Sequence, residues 1–376
     1  MSTDSASRPR AETGKSSPRP RLAYIDWARG IAVLAMIEAH TFDAWTRPAD
    51  RFSEWFRAAT ILGGFAAPMF LWLAGVSLAL SAAAVARREG SRRAAVEATC
   101  RRGLEIFILA FLFRVQAFVA SPGSHPITLF RVDVLNIMGP AIAAAGVVWG
   151  VNKTTAGRAI SCGAIAAAFA LLTPIVRASD ALNVLPIWVQ WYIRPAGEYT
   201  TFTGFPWAGF VFAGVASGAL IAAAREAAAA RLQAACAIVG GGLVALGFYT
   251  ATLPSIYGHS SFWSSSPTYF AIRVGTLMIA LAALYAIARV ADRFGIALVP
   301  LTRLGRSSLF VYWIHVELVY GYASWLWWRR LPLGATAVAY IAFCLLMYGA
   351  VRLRDRLVQT WRAGRKIGPA PETAPA

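Results

Sequence analysis

The chain has 376 residues, of which 58% are hydrophobic and 14% are charged, and its formal net charge is +18 at pH 7. An ordinary soluble domain has roughly 45–50% apolar and about 25% charged residues, so the composition excludes a typical soluble protein and indicates a membrane protein. A large positive charge also occurs in nucleic-acid-binding proteins, but its distribution along this chain has a better explanation, and we expect no nucleic-acid partner.

Long apolar runs predict an all-α integral membrane protein with about ten transmembrane helices, because a helix needs about 20 apolar residues to cross a bilayer. The predicted spans lie near residues 27–46, 60–84, 103–120, 132–150, 159–176, 205–224, 233–251, 268–288, 306–324 and 334–351. No stretch between them is long enough for a soluble domain. We therefore predict a disordered cytoplasmic tail at 1–20 without a cleavable signal peptide, a polytopic domain at 21–356 and a second cytoplasmic tail at 357–376.

Lysine and arginine are concentrated in alternate loops. If the amino terminus is cytoplasmic, the inner segments carry 25 of the 36 lysine and arginine residues, the outer loops carry nine, and only Arg29 and Arg273 lie within spans. This is the positive-inside pattern, and it predicts that both termini are cytoplasmic. The preference for arginine over lysine is typical of a GC-rich bacterial genome, and for a bacterial source the location would be the cell (inner) membrane.

The four cysteines have no paired or Cys-x-x-Cys spacing. They are Cys100, Cys162, Cys236 and Cys344, all in spans or beside an inner loop. We therefore expect neither a disulfide framework nor a zinc site, and we predict no metal cofactor.

The first predicted span is apolar but carries Asp26, Arg29, Glu38, His40 and Asp43. Each charge at membrane depth costs a few kcal/mol, so these residues predict a functional site. At about 100° per residue, all of them except Glu38 share one stripe of a helix, with His40 about 16 Å along the axis from Arg29. Glu38 lies on the opposite side, where we expect it to contact another helix.

Simpler interpretations of this stripe remain open. Asp26 could be a helix N-cap paired with Arg29 three residues on. A lone buried histidine such as His40 is more often a structural hydrogen-bond donor than a catalyst. The neighbouring charges on the same stripe favour catalysis.

The ninth predicted span, "LGRSSLFVYWIHVELVYG" at 304–321, presents Ser308, Tyr312 and His315 on one face. These side chains could orient His40 or a substrate hydroxyl, and the alternative is a hydrogen bond between helices. Glu317 points about 200° away and is not expected to be the direct partner of His315.

Arg273 lies about five residues inside the eighth predicted span, near the outer face. Burying an unpaired arginine is costly, so we expect a carboxylate partner, for which the candidates are Asp43, Asp133 and Glu317. The alternative is that Arg273 extends to the outer lipid headgroups.

Three outer segments, 121–133, 186–207 and 255–270, are rich in polar and aromatic residues. Anchoring at the membrane interface explains part of this pattern. The remainder is typical of a vestibule in which sugars stack on aromatic rings. His259 lies in the third segment and is a candidate acceptor contact.

Four stretches of the sequence resemble segments of a known family. "RLAYIDWARGIAVLAMIEAH" at 21–40 resembles the opening R-x-x-x-x-D-x-x-R-G signature of transmembrane acyltransferases. It is most similar to the bacterial relatives of heparan-α-glucosaminide N-acetyltransferase and more distantly resembles the acyltransferase-3 family, whose first helix also bears a histidine. Three further stretches agree: "GGFAAPMFLWLAGVSLALS" at 63–81, "RVDVLNIMGPAI" at 131–142 and "LGRSSLFVYWIHVEL" at 304–318. Two positions depart from the pattern, since Asn136 replaces the usual glutamine and the loop at 46–60 lacks the histidine of the heparan-type enzymes.

The resemblance implies an acetyl-CoA-dependent membrane acyltransferase, with acetyl-CoA as co-substrate, that moves an acetyl group from the cytoplasm to an amino or hydroxyl group of an extracytoplasmic glycan or lipid-linked sugar. His40 would act as general base or carry the acetyl group transiently, at a site that opens to the extracytoplasmic side. The candidate site residues divide into a catalytic group (His40, Asp43, His315, Tyr312), a CoA-binding group (Asp26, Arg29, Arg102, Arg303, Arg306) and an acceptor-binding group (Arg131, Asp133, Asn136, His259, Arg273). Topology alone would also explain the loop arginines.

An alternative function is a secondary transporter or permease for a sugar or lipid-linked sugar, in which Asp26, Arg29 and His40 form a proton path. Membrane lipids are expected partners in either case, and assembly into a homo-oligomer is left open. The two functions differ in one testable respect, because only the acyltransferase consumes acetyl-CoA.

Overall fold

The computed structural model describes residues 22–120 and 125–365, and within them the chain is almost entirely helical. In chain order the helices are α1 (Ala23–Trp45), α2 (Glu54–Gly63), α3 (Ala66–Glu89), α4 (Arg92–Ala120), α5 (Val134–Val151), α6 (Thr155–Ala178), α7 (Ile187–Ile193), α8 (Gly204–Ala223), α9 (Glu226–Ala251), α10 (Pro267–Arg293), α11 (Val299–Arg306), α12 (Ser308–Tyr320) and α13 (Leu333–Arg365). The predicted tail at 1–20 and the last part of the second tail lie outside the described residues.

Eight helical segments in the described part of the chain are long and apolar enough to cross a membrane. The predicted all-α, multi-pass fold is therefore confirmed. The two other predicted spans are helical as well, but α12 has only 13 residues and follows α11 after a single-residue break. Helix α1 is long enough, but every 18-residue window in it contains at least three charged residues.

Several boundaries differ from the prediction. The second predicted span is two helices, since the chain bends at Gly64 and Phe65 between α2 and α3. Helix α4 begins eleven residues before its predicted start, and Arg114 lies inside it. The helix α13 continues to Arg365, so the predicted tail at 357–376 begins as helix.

Local sequence sets where helices start and stop. The hydroxyl groups of Ser53, Thr154 and Ser266 accept hydrogen bonds from backbone N–H groups in the first turns of α2, α6 and α10, as N-cap residues do. Gly90 ends α3 with a φ of 64°, a left-handed conformation that glycine adopts without steric cost. These signals delimit long helices that the apolar composition alone would leave undivided.

Helix α1 is enclosed by protein, packing against α2, α3, α10, α11, α12 and α13. Gly30 and Gly305 allow the closest approach, because a Cβ atom on either would meet the backbone of the opposite helix, Leu301 in α11 and Asp26 in α1. This packing keeps the charges of α1 away from lipid, as a span with ionisable residues requires. It also brings the end of α11 next to Asp26.

Backbone hydrogen bonds join two loops at the other end of the molecule. The N–H of Val132 donates to Tyr199 at 3.1 Å, and the N–H of Thr201 donates to Val132 at 3.2 Å. These bonds fix Arg131 and Asp133 immediately before α5. The same bonds connect the two segments that are rich in polar and aromatic residues, 121–133 and 186–207.

Candidate active site

A cavity of about 1350 Å³ runs along the stripe of α1 that carries Arg29, His40 and Asp43. Arg29 and Asp43 are fourteen residues apart, or about 21 Å on a helix, so the cavity extends over most of the length of α1. Its volume exceeds the roughly 300–1,000 Å³ that is typical for one small ligand. We call its two ends the Arg29 end and the His40 end.

His40 and His315 form a hydrogen-bonded pair at the His40 end. The Nδ1 atom of His40 lies 2.9 Å from Nε2 of His315, and the two ring planes differ by 5°. His40 lines the cavity, whereas His315 is fully buried behind it. The predicted face of α12 therefore does contact His40, through a bond that also links two helices.

Backbone partners determine the tautomers of the neutral pair. Nδ1 of His315 lies 2.9 Å from the carbonyl oxygen of Val311 and 3.0 Å from that of Tyr312. Carbonyl oxygens only accept hydrogen bonds, so Nδ1 of His315 carries the proton and Nε2 has the lone pair. His40 must then donate from Nδ1, which leaves the lone pair on its Nε2 atom. Nε2 makes no hydrogen bond with the described residues and is available to a substrate.

Two carboxylates flank the pair, and each is held by an arginine and a tyrosine. Asp43 accepts a hydrogen bond from Tyr320 at 3.0 Å and forms an ion pair with Arg51 at 3.5 Å. The ring of Tyr320 lies edge-on to His40, with 5.4 Å between centroids. The predicted catalytic residue Asp43 is thus close to His40, although its oxygen atoms are bound to other groups.

Asp133 has the same type of arrangement on the other side. It accepts from Tyr312 at 3.3 Å, forms an ion pair with Arg114, and caps α5 by accepting from the N–H of Val134 at 2.7 Å. Both Asp133 and Tyr312 line the cavity, as predicted for acceptor-binding and catalytic residues. Asn136 does not line it, because its side chain completes the capping box with Asp133.

Asp26 holds two arginines at the Arg29 end. It lies 3.4 Å from Arg29 and 2.9 Å from Arg306, and its side chain is largely buried. The predicted pairing with Arg29 is confirmed, but Asp26 is not the N-cap, which is Leu22. Asp26 does not line the cavity, so the structure gives no support to its predicted direct contact with CoA, whereas Arg29 and Arg306, which it holds, do line the cavity.

Of three other predicted residues, one lines the cavity and two lie outside it. Arg102 lines the cavity, where it pairs with Glu105 at 3.0 Å. Arg303 does not, and lies instead in a smaller cleft between α11 and α13. His259 is exposed in the loop before α10 and does not line the cavity, so the structure gives no support to its predicted contact with the acceptor.

Arg273 lines the cavity without the carboxylate that we expected. Among the described residues it forms no ion pair; its guanidinium lies 4.0 Å from the centroid of Tyr269 and 5.9 Å from that of Trp207. The expected pairing with Asp43, Asp133 or Glu317 is wrong because the two aspartates are already engaged by other arginines. Glu38, in contrast, lies beside Gly63 of α2, which confirms its predicted contact with another helix.

The family model of the heparan-alpha-glucosaminide N-acetyltransferase catalytic domain matches residues 21–254, more than half of the chain. The chain belongs to this family. Membership in this family indicates a membrane N-acetyltransferase. The matched residues include all of the helices from α1 to α9. No curated protein matches the chain significantly.

Several residues of this candidate site carry little signal in the sequence. Tyr320 was overlooked because it lies at the last position of α12, off the face shared by Tyr312 and His315. The predicted site residues also include neither Arg114 nor Ser77, whose hydroxyl accepts a hydrogen bond from Arg29 but is of a kind common at helix interfaces. His315 lies outside the residues that the family model matches, so the histidine pair joins a matched part of the chain to a part that is not matched.

Proposed function

We propose that the protein transfers an acetyl group from cytoplasmic acetyl-CoA to an amino or hydroxyl group of an extracytoplasmic glycan, with Nε2 of His40 as the general base. The observation that carries this proposal is the single cavity that connects arginines at one end to the free lone pair of His40 at the other. A cavity with that form can admit two substrates from opposite sides. The family match supports the transfer reaction.

The Arg29 end suits the donor. Arg29, Arg102 and Arg306 line it, and guanidinium groups bind phosphate oxygens through paired hydrogen bonds. The pantetheine arm of CoA would then extend along α1, which places its thioester near His40. Under the proposed topology this end faces the cytoplasm, as the positive-inside pattern requires.

The chemistry at the His40 end is a single acyl transfer. The acceptor nitrogen or oxygen attacks the thioester carbonyl carbon while Nε2 of His40 takes the acceptor proton. The tetrahedral intermediate then collapses, the carbon–sulfur bond breaks, and the proton passes from Nε2 to the CoA thiolate. His315 supports the transiently charged ring of His40 because its Nε2 lone pair accepts from Nδ1.

The test is release of free CoA from acetyl-CoA by purified protein in detergent, with glucosamine, a muropeptide or a lipid-linked sugar as acceptor. We expect His40→Ala to lower the rate by about 10²–10⁴, the usual contribution of a general base. The matched control is His259→Ala, because His259 is exposed and outside the cavity. It should retain the wild-type rate.

Two results would contradict the proposal. If folded His40→Ala protein releases CoA at the wild-type rate, His40 is not the base. If the folded wild-type protein neither binds nor consumes acetyl-CoA but carries sugar across vesicles, the transporter function replaces the enzymatic one. A labelled protein adduct that depends on His40 would instead show that the acetyl group passes through the histidine.

A further inference from the structure

A second, smaller cleft lies between α11 and α13, outside the cavity that holds the candidate active site. Its volume is about 410 Å³. Among the described residues that line it, five are arginines and one, Asp355, is acidic. The arginines are Arg303 and Arg306 on α11 and Arg352, Arg354 and Arg356 on α13. The cleft therefore has a large excess of positive charge.

Three of these arginines have no counter-ion from the protein. Arg354 forms an ion pair with Asp355 at 2.8 Å, and Arg306 forms one with Asp26 at 2.9 Å. The other three form no ion pair and no side-chain hydrogen bond within the described part of the chain. They are Arg303, Arg352 and Arg356. Because like charges on facing helices repel one another, an anion between them would lower the electrostatic energy of the pair of helices.

A buried serine lies at the same cleft. Ser307, in the single-residue break between α11 and α12, is 3% exposed and lines the cleft. Its hydroxyl makes no hydrogen bond with the described residues, whereas the hydroxyls of Ser53 and Ser266 cap their helices. An unpartnered hydroxyl at a buried position is costly, and a phosphate oxygen in the cleft would accept its hydrogen bond. Positive-inside topology explains arginines near the inner surface but not this hydroxyl among them.

The exposed apolar side of α13 leads to this cleft. Val338, Leu345 and Arg352 are each seven residues apart, about two helical turns, so they share one face of α13. Val338 and Leu345 are 68% and 67% exposed, as side chains in contact with acyl chains would be. Arg352 is the first charged residue of α13 and lies about 10 Å beyond Leu345 along the axis. A lipid whose acyl chains lie along this face would therefore have its headgroup at the cleft.

We propose that the cleft between α11 and α13 binds the headgroup of an anionic phospholipid, with its phosphate held by Arg303, Arg352 and the hydroxyl of Ser307. Under the predicted topology this end of α13 is cytoplasmic, at the level of the inner-leaflet headgroups. Guanidinium groups bind phosphate oxygens through paired hydrogen bonds, and basic pockets between transmembrane helices on the cytoplasmic side bind such headgroups. The bound lipid joins α11 to α13 across the cleft.

The experiment measures lipid binding to the full chain purified in a non-ionic detergent, without acetyl-CoA or acceptor, so its result is independent of the proposed reaction. Native mass spectrometry counts the bound lipids. The anionic probe is dioleoylphosphatidylglycerol, and the reference is dioleoylphosphatidylcholine, which has the same acyl chains and no net charge. Wild type is compared with Arg303→Gln, Arg352→Gln and Ser307→Ala. The matched control is Arg362→Gln, an exposed arginine on α13 outside the cleft.

We expect wild type and Arg362→Gln to bind one phosphatidylglycerol at least about tenfold more tightly than phosphatidylcholine. Arg303→Gln and Arg352→Gln should each remove most of this preference, because each deletes a charge that faces the phosphate. Ser307→Ala should weaken the binding by a few fold. Phosphatidylglycerol should also raise the melting temperature of wild type and Arg362→Gln more than that of the two cleft arginine variants, since a ligand of the folded state stabilises it.

Two results would overturn the lipid site. The first is equal binding of the two lipids to wild type. The second is a preference for phosphatidylglycerol that persists in both Arg303→Gln and Arg352→Gln, because the lipid would then bind elsewhere. A melting temperature equal to that of wild type without added lipid shows that each variant is folded.

Soluble phosphates are the other source of an anion for this cleft. Acetyl-CoA and inorganic phosphate are therefore each added as competitors at the concentration of the lipid. If either one displaces phosphatidylglycerol from wild type, the cleft is a site for soluble phosphates and the lipid assignment is wrong. Retention of the lipid against both competitors, together with its loss in the cleft variants, supports the proposal.

Discussion

The two ends of the cavity position their functional groups by different means. At the Arg29 end a carboxylate holds two guanidinium groups, since Asp26 contacts both Arg29 and Arg306. At the His40 end the neutral ring of His40 is held by another neutral ring, which is in turn fixed by two backbone carbonyl oxygens of α12. The Arg29 end is organised by an ion-pair cluster, whereas the position of the His40 ring itself is set by hydrogen bonds between uncharged groups.

Depth in the protein explains the difference. Arg306 is half exposed, so water can solvate its charge and the ion pair costs little. His315 is fully buried, and a carboxylate in its place would bring a desolvation penalty of several kcal/mol. Backbone carbonyls are dipoles that the helix already contains, so they can orient an imidazole without that penalty.

Of the variants that test this comparison, we expect the largest loss of activity from a substitution of His315. His315→Leu fills the same space but cannot accept from Nδ1 of His40, so the tautomer of His40 is no longer fixed. We expect kcat to fall by about 10²–10³ with an unchanged KM for acetyl-CoA, because the base is misoriented and its charged form unsupported. Steady-state kinetics of CoA release would measure both constants.

The matched variant is His315→Gln, whose side-chain oxygen can accept from Nδ1. It should recover at least about tenfold of the rate lost in His315→Leu, which a purely space-filling role of His315 does not predict. Equal kcat values for the two folded variants would show that the hydrogen bond of His40 to residue 315 does not matter for the reaction.

A smaller effect is expected at the charged end. Arg306→Gln removes a guanidinium that lines the cavity, and we expect the KM for acetyl-CoA to rise by about tenfold with kcat unchanged, since a hydrogen bond to a charged group contributes about 1.5–3 kcal/mol before solvent screening. The effect should diminish at high salt.

Arg303→Gln is the comparison, since Arg303 lies on the same helix, α11, but outside the cavity. The KM for acetyl-CoA should stay within about twofold of wild type if only cavity contacts matter. A larger rise in Arg303→Gln than in Arg306→Gln would place the donor in the cleft between α11 and α13.

The smallest expected effect is on stability and concerns the carboxylate of Asp50, in the loop between α1 and α2. Asp50 accepts from the N–H of Leu333 at 2.8 Å at the start of α13, and this hydrogen bond, followed by the charge of Arg47, lowers the pKa of Asp50 below its ordinary 3.8. A lowered folded-state pKa means that ionised Asp50 stabilises the fold above about pH 3.8 and that this contribution is lost as the pH falls through the folded value.

Asp50→Ala should therefore lower the melting temperature by a few degrees or less at pH 7, and by less still at pH 3. Thermal unfolding of wild type and variant at both pH values measures this difference. A difference that grows on acidification would contradict the capping role of Asp50.

Most of the site residues predicted from the sequence line the cavity, because the signals that identified them were local. The charged stripe of α1 and the Tyr312 and His315 face of α12 follow from helical periodicity, and both line or adjoin the cavity in the structure. Arg303 and Arg306 show the limit of that reasoning. They are two arginines three residues apart on the same helix. Only their positions relative to α1 determine that Arg306 lines the cavity and Arg303 does not.

The sequence by itself determined that the protein is a helical, multi-pass membrane protein, that its first helix carries a stripe of charged residues, and which family it resembles, because composition, apolar length and helical period are properties of the chain alone. The tertiary structure decided which atoms meet. The bond from His40 to His315, the ion pair of Asp26 with Arg306 and the contact of Arg273 with the ring of Trp207 all join residues that are distant in sequence. Such contacts depend on how close two helices approach, which glycines such as Gly30 and Gly305 permit and which no single helix specifies.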